Sequence, residues 1–207
     1  MSTDFEKART LGIIGTAIII FGVLISAFAL VFLASIVELA VSMLLFILTA
    51  ILSILGWVLV VISLYIFSRF YGEDRIFRNA IYFFISYIIA GVAGAISSLT
   101  VLPAIFHPEG FAGILIVSLL VGVLFGIIAF FFMYRSLSLL AGKSEEGLFR
   151  VAGLLLLVGQ ITSIIIIVNL ILFVGLIVLV VAFASVKLLQ PMRPEEAAVT
   201  PASPSSQ

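Results

Sequence analysis

All ten Lys and Arg residues of this chain lie on one side of the topology that its apolar runs predict. Basic residues precede the first run and follow the second, fourth and last runs, whereas the other connections carry none. Because cationic flanks of membrane spans stay in the cytoplasm, the pattern predicts an even number of crossings with both termini inside. The basic positions are Lys7, Arg9, Arg69, Arg75, Arg78, Arg135, Lys143, Arg150, Lys187 and Arg193.

The composition excludes an ordinary soluble domain. Hydrophobic residues make up 64% of the chain and charged residues 10%, so the surplus apolar surface must face lipid. The predicted inner side carries ten basic and eight acidic residues, and the outer side carries only Glu38 and Glu109. This inner excess favours anionic lipid headgroups as partners over nucleic acid, for which the chain has no basic stripe. Without cysteine, disulfides and thiolate metal sites are excluded.

The apolar runs predict an all-α integral membrane protein with six transmembrane helices in three hairpins. The first four spans are 11–37, 39–68, 79–102 and 112–134, with outer turns at Glu38 and around Pro103 and Pro108, and inner loops at 69–75 and 135–147. The apolar stretch Val151–Val186 would form one helix about 54 Å long, against a hydrocarbon core of about 30 Å. We therefore expect it to split near Asn169 into two short spans.

These spans define the predicted domain organisation. Residues 1–10 form a cytoplasmic N-terminal segment, 11–189 form the transmembrane domain, and 190–207 form a disordered Pro-rich cytoplasmic tail. The first apolar run is too long for a cleaved signal sequence, so we interpret it as a span.

A short pattern recurs along the chain. Phe5 and Ala8, Phe77 and Ala80, and Phe149 and Ala152 share the form Phe-x-x-Ala at intervals of 72 residues, each before an odd-numbered span. One interpretation is three parallel copies of a helical hairpin. The other is chance recurrence in a chain rich in Phe and Ala, with the interval set by hairpin length.

Small residues recur at helical spacing on three spans, where they let helix backbones approach closely. Packing within one bundle is the favoured interpretation, and a homo-oligomer or membrane-partner interface is the alternative. The ridges are Gly15, Gly22, Ser26 and Ala29 on the first span, Ala90, Gly94 and Ser98 on the third, and Ser118, Gly122 and Gly126 on the fourth.

Polar side chains within the spans are few. Thr49 and Ser53 lie on a weakly polar face of the second span, and Gln160 and Thr162 form the most polar patch of the fifth. We expect these four to make polar contacts within the bundle. Lining of a water-filled path is the alternative for the second span.

No ionisable residue lies near the middle of any predicted span, where proton relays and ion-coupled carriers place one. His107 and Glu109 supply too few ligands for a metal, and no acid–base or nucleophile set can be assembled around that histidine. We therefore expect no enzymatic activity, no metal and no cofactor.

The most specific local feature of the sequence is the group of basic and polar residues at the start of the third span. Arg75, Arg78 and Asn79 lie within one helical turn or so of each other, and Arg150 occupies the equivalent entrance of the fifth span. We predict that these four residues contact lipid headgroups at the cytoplasmic face. A routine interfacial helix start is the alternative.

Three stretches carry a family resemblance: Ala8 through Gly15, Tyr71 through Ala80, and Phe149 through Leu154 leading to Gly159 and Thr162. They resemble a domain-of-unknown-function family, number nine-nine-six, of small prokaryotic multi-pass membrane proteins. The resemblance covers nearly the whole chain except the tail. It implies location in a prokaryotic cell membrane, and it implies no activity, cofactor or catalytic residue.

The sequence therefore favours a non-enzymatic multi-pass membrane protein that acts through lipid or protein contacts. The alternative function is a transporter or channel for a neutral or apolar small solute, which would need a cavity at the bilayer midplane lined by Thr49, Ser53 and Gln160.

Overall fold

The computed structural model describes residues 2–31, 36–162 and 169–187. These ranges are helical throughout apart from short connections, and they contain no strand, as the all-α prediction requires. The predicted tail 190–207 and the turn just before Asn169 lie outside the described residues. The helices are α1 (Ser2–Val31), α2 (Ile36–Tyr71), α3 (Asp74–Phe106), α4 (Pro108–Ser144), α5 (Leu148–Thr162) and α6 (Asn169–Ser185).

Four of these helices contain segments long and apolar enough to cross a membrane. The segments are Thr3–Ala27, Leu44–Tyr71, Asp74–Val101 and Glu109–Ser144. The stretch Val151–Val186 is not one continuous helix, because α5 (Leu148–Thr162) and α6 (Asn169–Ser185) pack against each other, with Gly159 facing Leu172 and Gly175 facing Leu156. The described parts of α5 and α6, with 15 and 17 residues, are about 22 and 26 Å long.

Several predicted turns are wrong in position. Glu38 does not mark the first outer turn, since α2 already begins at Ile36. Pro103 does not end the third helix, which continues to Phe106, where the His107 N–H donates to the Pro103 carbonyl at 2.7 Å. A proline one turn from a helix end removes a single hydrogen bond, so the helix tolerates it there. Pro108 does start a new helix, at a position where a missing N–H costs nothing.

The predicted inner loops are much shorter than the polar stretches that suggested them. Arg69 lies in α2 and Arg75 in α3, which leaves only Gly72 and Glu73 between these helices. Similarly, Arg135 lies well inside α4, and only residues 145–147 separate α4 from α5. Hydropathy marks the apolar part of a helix, but backbone hydrogen bonding continues into the polar flank.

Gly72 ends α2 in a conformation that an L side chain adopts reluctantly. Its φ is +63°, and the Glu73 N–H donates to the Ser68 carbonyl at 3.0 Å. This is the six-to-one hydrogen bond of a Schellman motif, with glycine at the left-handed position. The motif turns the chain within two residues and holds the start of α3 beside the end of α2.

The six helices close into a ring. Each helix contacts the next along the chain, and α1 also contacts α6, while one smaller contact joins α2 to α4 across the ring. Since consecutive helices are antiparallel, the starts of the odd-numbered helices and the ends of the even-numbered helices meet at one end. Every described Lys and Arg lies toward this end, which we call the basic end.

Two clusters of buried aromatic side chains fill the interior of the six-helix ring. Near the basic end, Phe67 contacts Phe5 and Phe183 with ring centroids 5.6 and 6.2 Å apart, and Phe183 contacts Phe149 at 5.1 Å. This cluster joins α1, α2, α5 and α6. Where lipid is as apolar as the protein interior, such dense packing, rather than burial from water, holds helices together.

The second aromatic cluster is centred on Trp57, the single tryptophan, which is 2% exposed. Its ring lies 4.7 Å from Phe83 and 5.9 Å from Phe130, measured between centroids. Trp57 therefore joins α2 to α3 and α4 as a packing residue. Edge-to-face pairs of this kind contribute about 0.5–1.5 kcal/mol each beyond the area they bury.

The small-residue ridges on α1 and α4 are occupied within the bundle. At the closest approach of α1 and α2, a Cβ on Gly15 would lie 2.7 Å from the Gly56 carbonyl oxygen. On α4, Gly122 packs against Ala93 of α3, and Gly126 faces the Gln160 side chain of α5. These glycines allow backbone contact between neighbouring helices of one chain.

The Phe-x-x-Ala pattern falls at comparable positions in three hairpins. Ala8, Ala80 and Ala152 each lie in the second turn of an odd-numbered helix, and each is fully buried. The match is incomplete at the preceding position, because Phe5 and Phe149 are buried whereas Phe77 is only partly buried.

Candidate functional site: an anion pocket between α3 and α4

The first turns of α3 place basic and polar side chains on one face. Arg75, Arg78, Asn79 and Tyr82 follow helical spacing, so they align along the flank of α3 that borders α4. The antiparallel α4 brings its own basic segment to the same level. The Ser136 hydroxyl donates to the Ile76 carbonyl at 2.8 Å and thereby fastens the two helices at this point.

A pocket of about 460 Å³ lies between these segments, and we call it the anion pocket. It combines three guanidinium groups with an amide, a hydroxyl and aromatic rings at the basic end of the bundle. Its lining residues are Arg75, Arg78, Asn79, Tyr82, Phe132, Tyr134, Arg135, Ser138 and Leu139.

Two of the three arginines lack an acidic partner. Neither Arg78 nor Arg135 forms an ion pair with a carboxylate among the described residues. The Arg135 guanidinium lies 5.9 Å from the centroid of the Phe131 ring, which orients it without neutralising it. The pocket therefore has an unbalanced positive charge.

Arg75 is balanced by Glu73. The Arg75 Nε–Glu73 Oε1 distance is 2.6 Å and the Nη2–Oε2 distance is 3.2 Å, a bidentate pair. Lys143 at the end of α4 also approaches the Glu73 Oε2, at 3.7 Å. The hydrogen bond from Arg75, with the charges of Arg75 and Lys143, lowers the pKa of Glu73 below its ordinary value. Glu73 thus links the α2–α3 connection to the end of α4.

The pocket also contains a buried polar group without a partner. The Ser138 hydroxyl oxygen is buried and has no hydrogen-bond partner in the described part of the chain. A buried polar group is normally satisfied, so this hydroxyl indicates a polar ligand. Asn79, only 8% exposed, adds an amide to the same pocket.

Only three of the four predicted headgroup contacts lie in the pocket. Arg75, Arg78 and Asn79 line the anion pocket together, whereas Arg150 is exposed on α5 and does not line it. Sequence reasoning missed Arg135 and Ser138, because it treated 135–147 as a loop. These two residues could have been found from the antiparallel pairing of the third and fourth spans, since this pairing brings them to the level of Arg78.

Three of the four predicted bundle contacts, Thr49, Ser53 and Gln160, meet a neighbouring helix, and Thr162 does not. The Thr49 hydroxyl donates to the Gly22 carbonyl of α1 at 3.3 Å, and the Ser53 hydroxyl lies 2.7 Å from the Tyr87 hydroxyl of α3. Gln160 packs against Gly126 of α4. The Thr162 hydroxyl donates within its own helix, to the Val158 carbonyl at 2.6 Å.

The fold and pocket together describe an all-helical protein with four membrane-length helices and a cationic pocket at one end. The chain matches the family described as a protein of unknown function (DUF996) over residues 52–183, and it belongs to that family. The match extends from α2 to α6 and includes every residue of the anion pocket. No curated protein and no solved structure matches this chain.

Proposed function

We propose that this protein is a six-span protein of the prokaryotic cell membrane that acts without catalysis, by binding the phosphate group of an anionic lipid in the anion pocket. The observation that carries this proposal is the presence in one pocket of two arginines without acidic partners, Arg78 and Arg135, together with the buried, unpartnered Ser138 hydroxyl and the Asn79 amide.

The chemistry of the pocket suits phosphate. Guanidinium groups bind phosphate oxygens through paired N–H donors, and neutral hydroxyl and amide donors complete the coordination. Arg78 lies on α3 and Arg135 on α4, so the two groups approach a ligand from different helices. Anionic headgroups are concentrated at the cytoplasmic face of a membrane, where the positive-inside pattern puts this end of the bundle.

The ring supports six crossings with both termini inside. Since α6 contacts both α5 and α1, it returns alongside them, with its end near the start of α1. The Phe183 ring packs against the Gly12 backbone, so the end of α6 reaches the depth of the second and third turns of α1.

A binding role is also supported by the state of the nearest acid. Glu73 is engaged by Arg75 and Lys143 and does not line the pocket. Among the described residues, no group of three His, Asp or Glu side chains is arranged to hold a metal ion. The pocket therefore offers donors suited to holding an anion.

The alternative, a carrier of neutral or apolar solutes, has less support. It requires a midplane path lined by Thr49, Ser53 and Gln160, but the first two engage neighbouring helices and Gln160 packs against Gly126. These contacts favour a role in helix packing. Solute flux through reconstituted liposomes that is lost in Ser53→Leu would favour the carrier.

Lipid retention tests the proposal. The purified protein is incubated with equal amounts of phosphatidylglycerol and phosphatidylcholine that have identical acyl chains, and bound lipid is counted by native mass spectrometry. We expect preferential retention of phosphatidylglycerol. Each charge-assisted hydrogen bond contributes about 1.5–3 kcal/mol, so the double variant Arg78→Gln/Arg135→Gln should lose the preference.

Arg150→Gln is the matched control, because it removes an exposed basic residue at the same end but outside the pocket. It should keep the wild-type preference. Equal retention of the two lipids by the wild type, or equal losses in the pocket and control variants, would show that the anion pocket is not the binding site.

A further inference from the structure

A second, apolar groove lies between α3 and α4, farther from the basic end. Its volume is about 610 Å³, and its one hydroxyl, on Ser118, is already bonded to the Leu115 carbonyl and to Ser97. The groove has no unsatisfied polar group to hold a polar ligand. Its lining residues are Ile88, Ile89, Val92, Ala93, Ile96, Gly113, Ile114, Val117, Ser118 and Val121.

The apolar groove and the anion pocket lie on the same side of the α3–α4 interface. Contacts between the two helices define a seam, with Ile76 against Ser136 at the basic end and Ser97 against Ser118 at the far end. On each helix, the residue one position before each seam residue lines one of the two sites. At the basic end these are Arg75 and Arg135, and at the far end they are Ile96 and Val117.

Residues between the two sites follow the same register. Ser86 of α3 and Ala129 of α4 are buried, and along their helices they lie between the pocket and the groove. Ile85 and Ile128 each come one position before these buried residues. On α4, Phe130 follows Ala129 and contacts Trp57 of α2 inside the ring. The side of the seam that carries both sites is therefore the outer surface of the bundle, where it meets lipid.

The near end of the groove lies one leaflet of a bilayer away from the pocket. From Asn79, at the pocket, to Ile89, in the groove, there are ten residues, or about 15 Å of helix, and half of a hydrocarbon core of about 30 Å has the same depth. The groove continues to Ile96, about 26 Å along α3 from Asn79. A lipid with its phosphate at the anion pocket would extend its chain along Ile85 and Ile128 and enter the groove near the midplane, and only a long acyl chain would reach the far end of the groove.

We infer that this side of the α3–α4 hairpin is an elongated site for one anionic phospholipid, with the phosphate in the anion pocket and the end of an acyl chain in the apolar groove. The inference rests on the proposed function and adds the class of ligand and its orientation. A free phosphate would use only the pocket, whereas a phospholipid uses both parts, and the continuity of the two parts favours the phospholipid.

Neighbouring residues on α4 provide a matched test of the groove. Val117 and Ile116 are 61% and 58% exposed, but only Val117 lines the groove. Val117→Trp should block the far end of the groove, and Ile116→Trp should add comparable bulk outside the groove. Binding is measured by native mass spectrometry with phosphatidylglycerols of increasing acyl length, and inorganic phosphate is used as a competitor.

We expect long-chain phosphatidylglycerol to be retained about fivefold more than the dihexanoyl form, since dispersion contacts accumulate along the chain. Val117→Trp should remove this dependence on length while keeping the preference for phosphatidylglycerol over phosphatidylcholine, and Ile116→Trp should change neither. Inorganic phosphate should compete with the dihexanoyl form more effectively than with the long-chain form.

Two results would overturn the inference. One is wild-type binding that does not depend on acyl length, and the other is an equal loss of length dependence in the two tryptophan variants. If the preference for the anionic headgroup survives either result, the proposed function stands and only the acyl site fails. If the wild type shows no headgroup preference, the proposed function itself fails.

Discussion

At the scale of single residues, glycines set how closely the helices approach. A Cβ on Gly56 would lie 2.5 Å from Ile19 Cγ1 and 2.7 Å from the Gly15 carbonyl oxygen, and both atoms belong to α1. The backbone of α1 can yield only by moving away as a whole. By contrast, a Cβ on Gly91 in α3 would meet nothing within 4 Å. Identical substitutions should therefore have opposite effects at these two positions.

We predict that Gly56→Ala lowers the stability of the protein, by about 1–3 kcal/mol, because overpacking forces α1 and α2 apart. Gly91→Ala should leave stability unchanged or raise it slightly, since alanine favours the helix and no neighbour obstructs it. Thermal unfolding of both variants in the same detergent measures the difference. Equal melting temperatures would show that α1 and α2 do not meet at Gly15 and Gly56.

Glu73 provides a residue-scale prediction about pH. Its pKa is lowered in the folded protein, so the stabilisation by its ion pairs is present above its ordinary pKa and is lost as pH falls through the lowered value. We predict that the wild type melts at a higher temperature than Glu73→Gln at neutral pH. The difference should begin to shrink near the ordinary pKa of glutamate, about 4.3, and should disappear only in stronger acid, below the lowered pKa of Glu73. A difference that persists unchanged in acid would contradict the Glu73 pairing.

At the scale of elements, sequence patterns predicted the helices better than their ends. Apolar runs located the first four helices, and the apolar stretch Val151–Val186 was predicted to divide because it is much longer than the hydrocarbon core. Length alone does not divide a helix, since α2 and α4 have 36 and 37 residues and remain continuous. Helix ends depend instead on backbone hydrogen bonds. Thus α4 continues through Arg135 to Ser144, and Pro103 is accommodated near the end of α3, although both residues interrupt the hydropathy pattern.

The same distinction explains what was predictable about the anion pocket. Arg75, Arg78 and Asn79 are neighbours on one helix, so their spacing alone was sufficient to group them. Arg135 and Ser138 are distant in sequence and join them only through the α3–α4 pairing and its register. A side-chain register between two helices depends on packing that hydropathy does not encode.

Closure of the ring depends on α6, and Phe183 tests it. This side chain is fully buried, and its ring contacts Phe67 of α2 and Phe149 of α5 and lies against Gly12 of α1. We predict that Phe183→Ala destabilises the protein by about 3–5 kcal/mol, measured by unfolding in detergent. Val181→Ala, at a position 45% exposed on the same helix, is the control and should have a much smaller effect. Similar losses in both variants would argue against a closed ring.

At the scale of the whole molecule, the basic residues and the anion pocket lie at the same end of the bundle. Every described Lys and Arg lies toward the end where the odd-numbered helices begin, and the anion pocket lies at that same end. The deeper parts of α3 and α4 present exposed apolar side chains such as Leu99 and Leu120, 70% and 61% exposed. Those surfaces suit lipid, whereas the basic end suits the cytoplasmic headgroup layer.

Single-cysteine labelling tests this orientation, since the native chain has no cysteine to give background. Gly142 and Glu109 are both exposed, one near the α4–α5 connection at the basic end and the other at the start of α4. We predict that Glu109→Cys reacts with a membrane-impermeant maleimide in intact cells, because the proposed six-span topology puts the start of α4 outside. Gly142→Cys and Ser206→Cys should react only after permeabilisation, because the same topology puts the basic end and the C-terminus inside.

Ser206 is the decisive position, because its side of the membrane depends on whether α5 and α6 both cross. Two crossings return the chain to the side of Gly142, whereas one crossing leaves Ser206 on the opposite side. Permeabilised cells provide the reactivity control for all three variants. If Ser206→Cys is labelled in intact cells while Gly142→Cys is protected, the number of crossings is odd. The six-span topology would then be wrong even if α5 and α6 remain two separate helices.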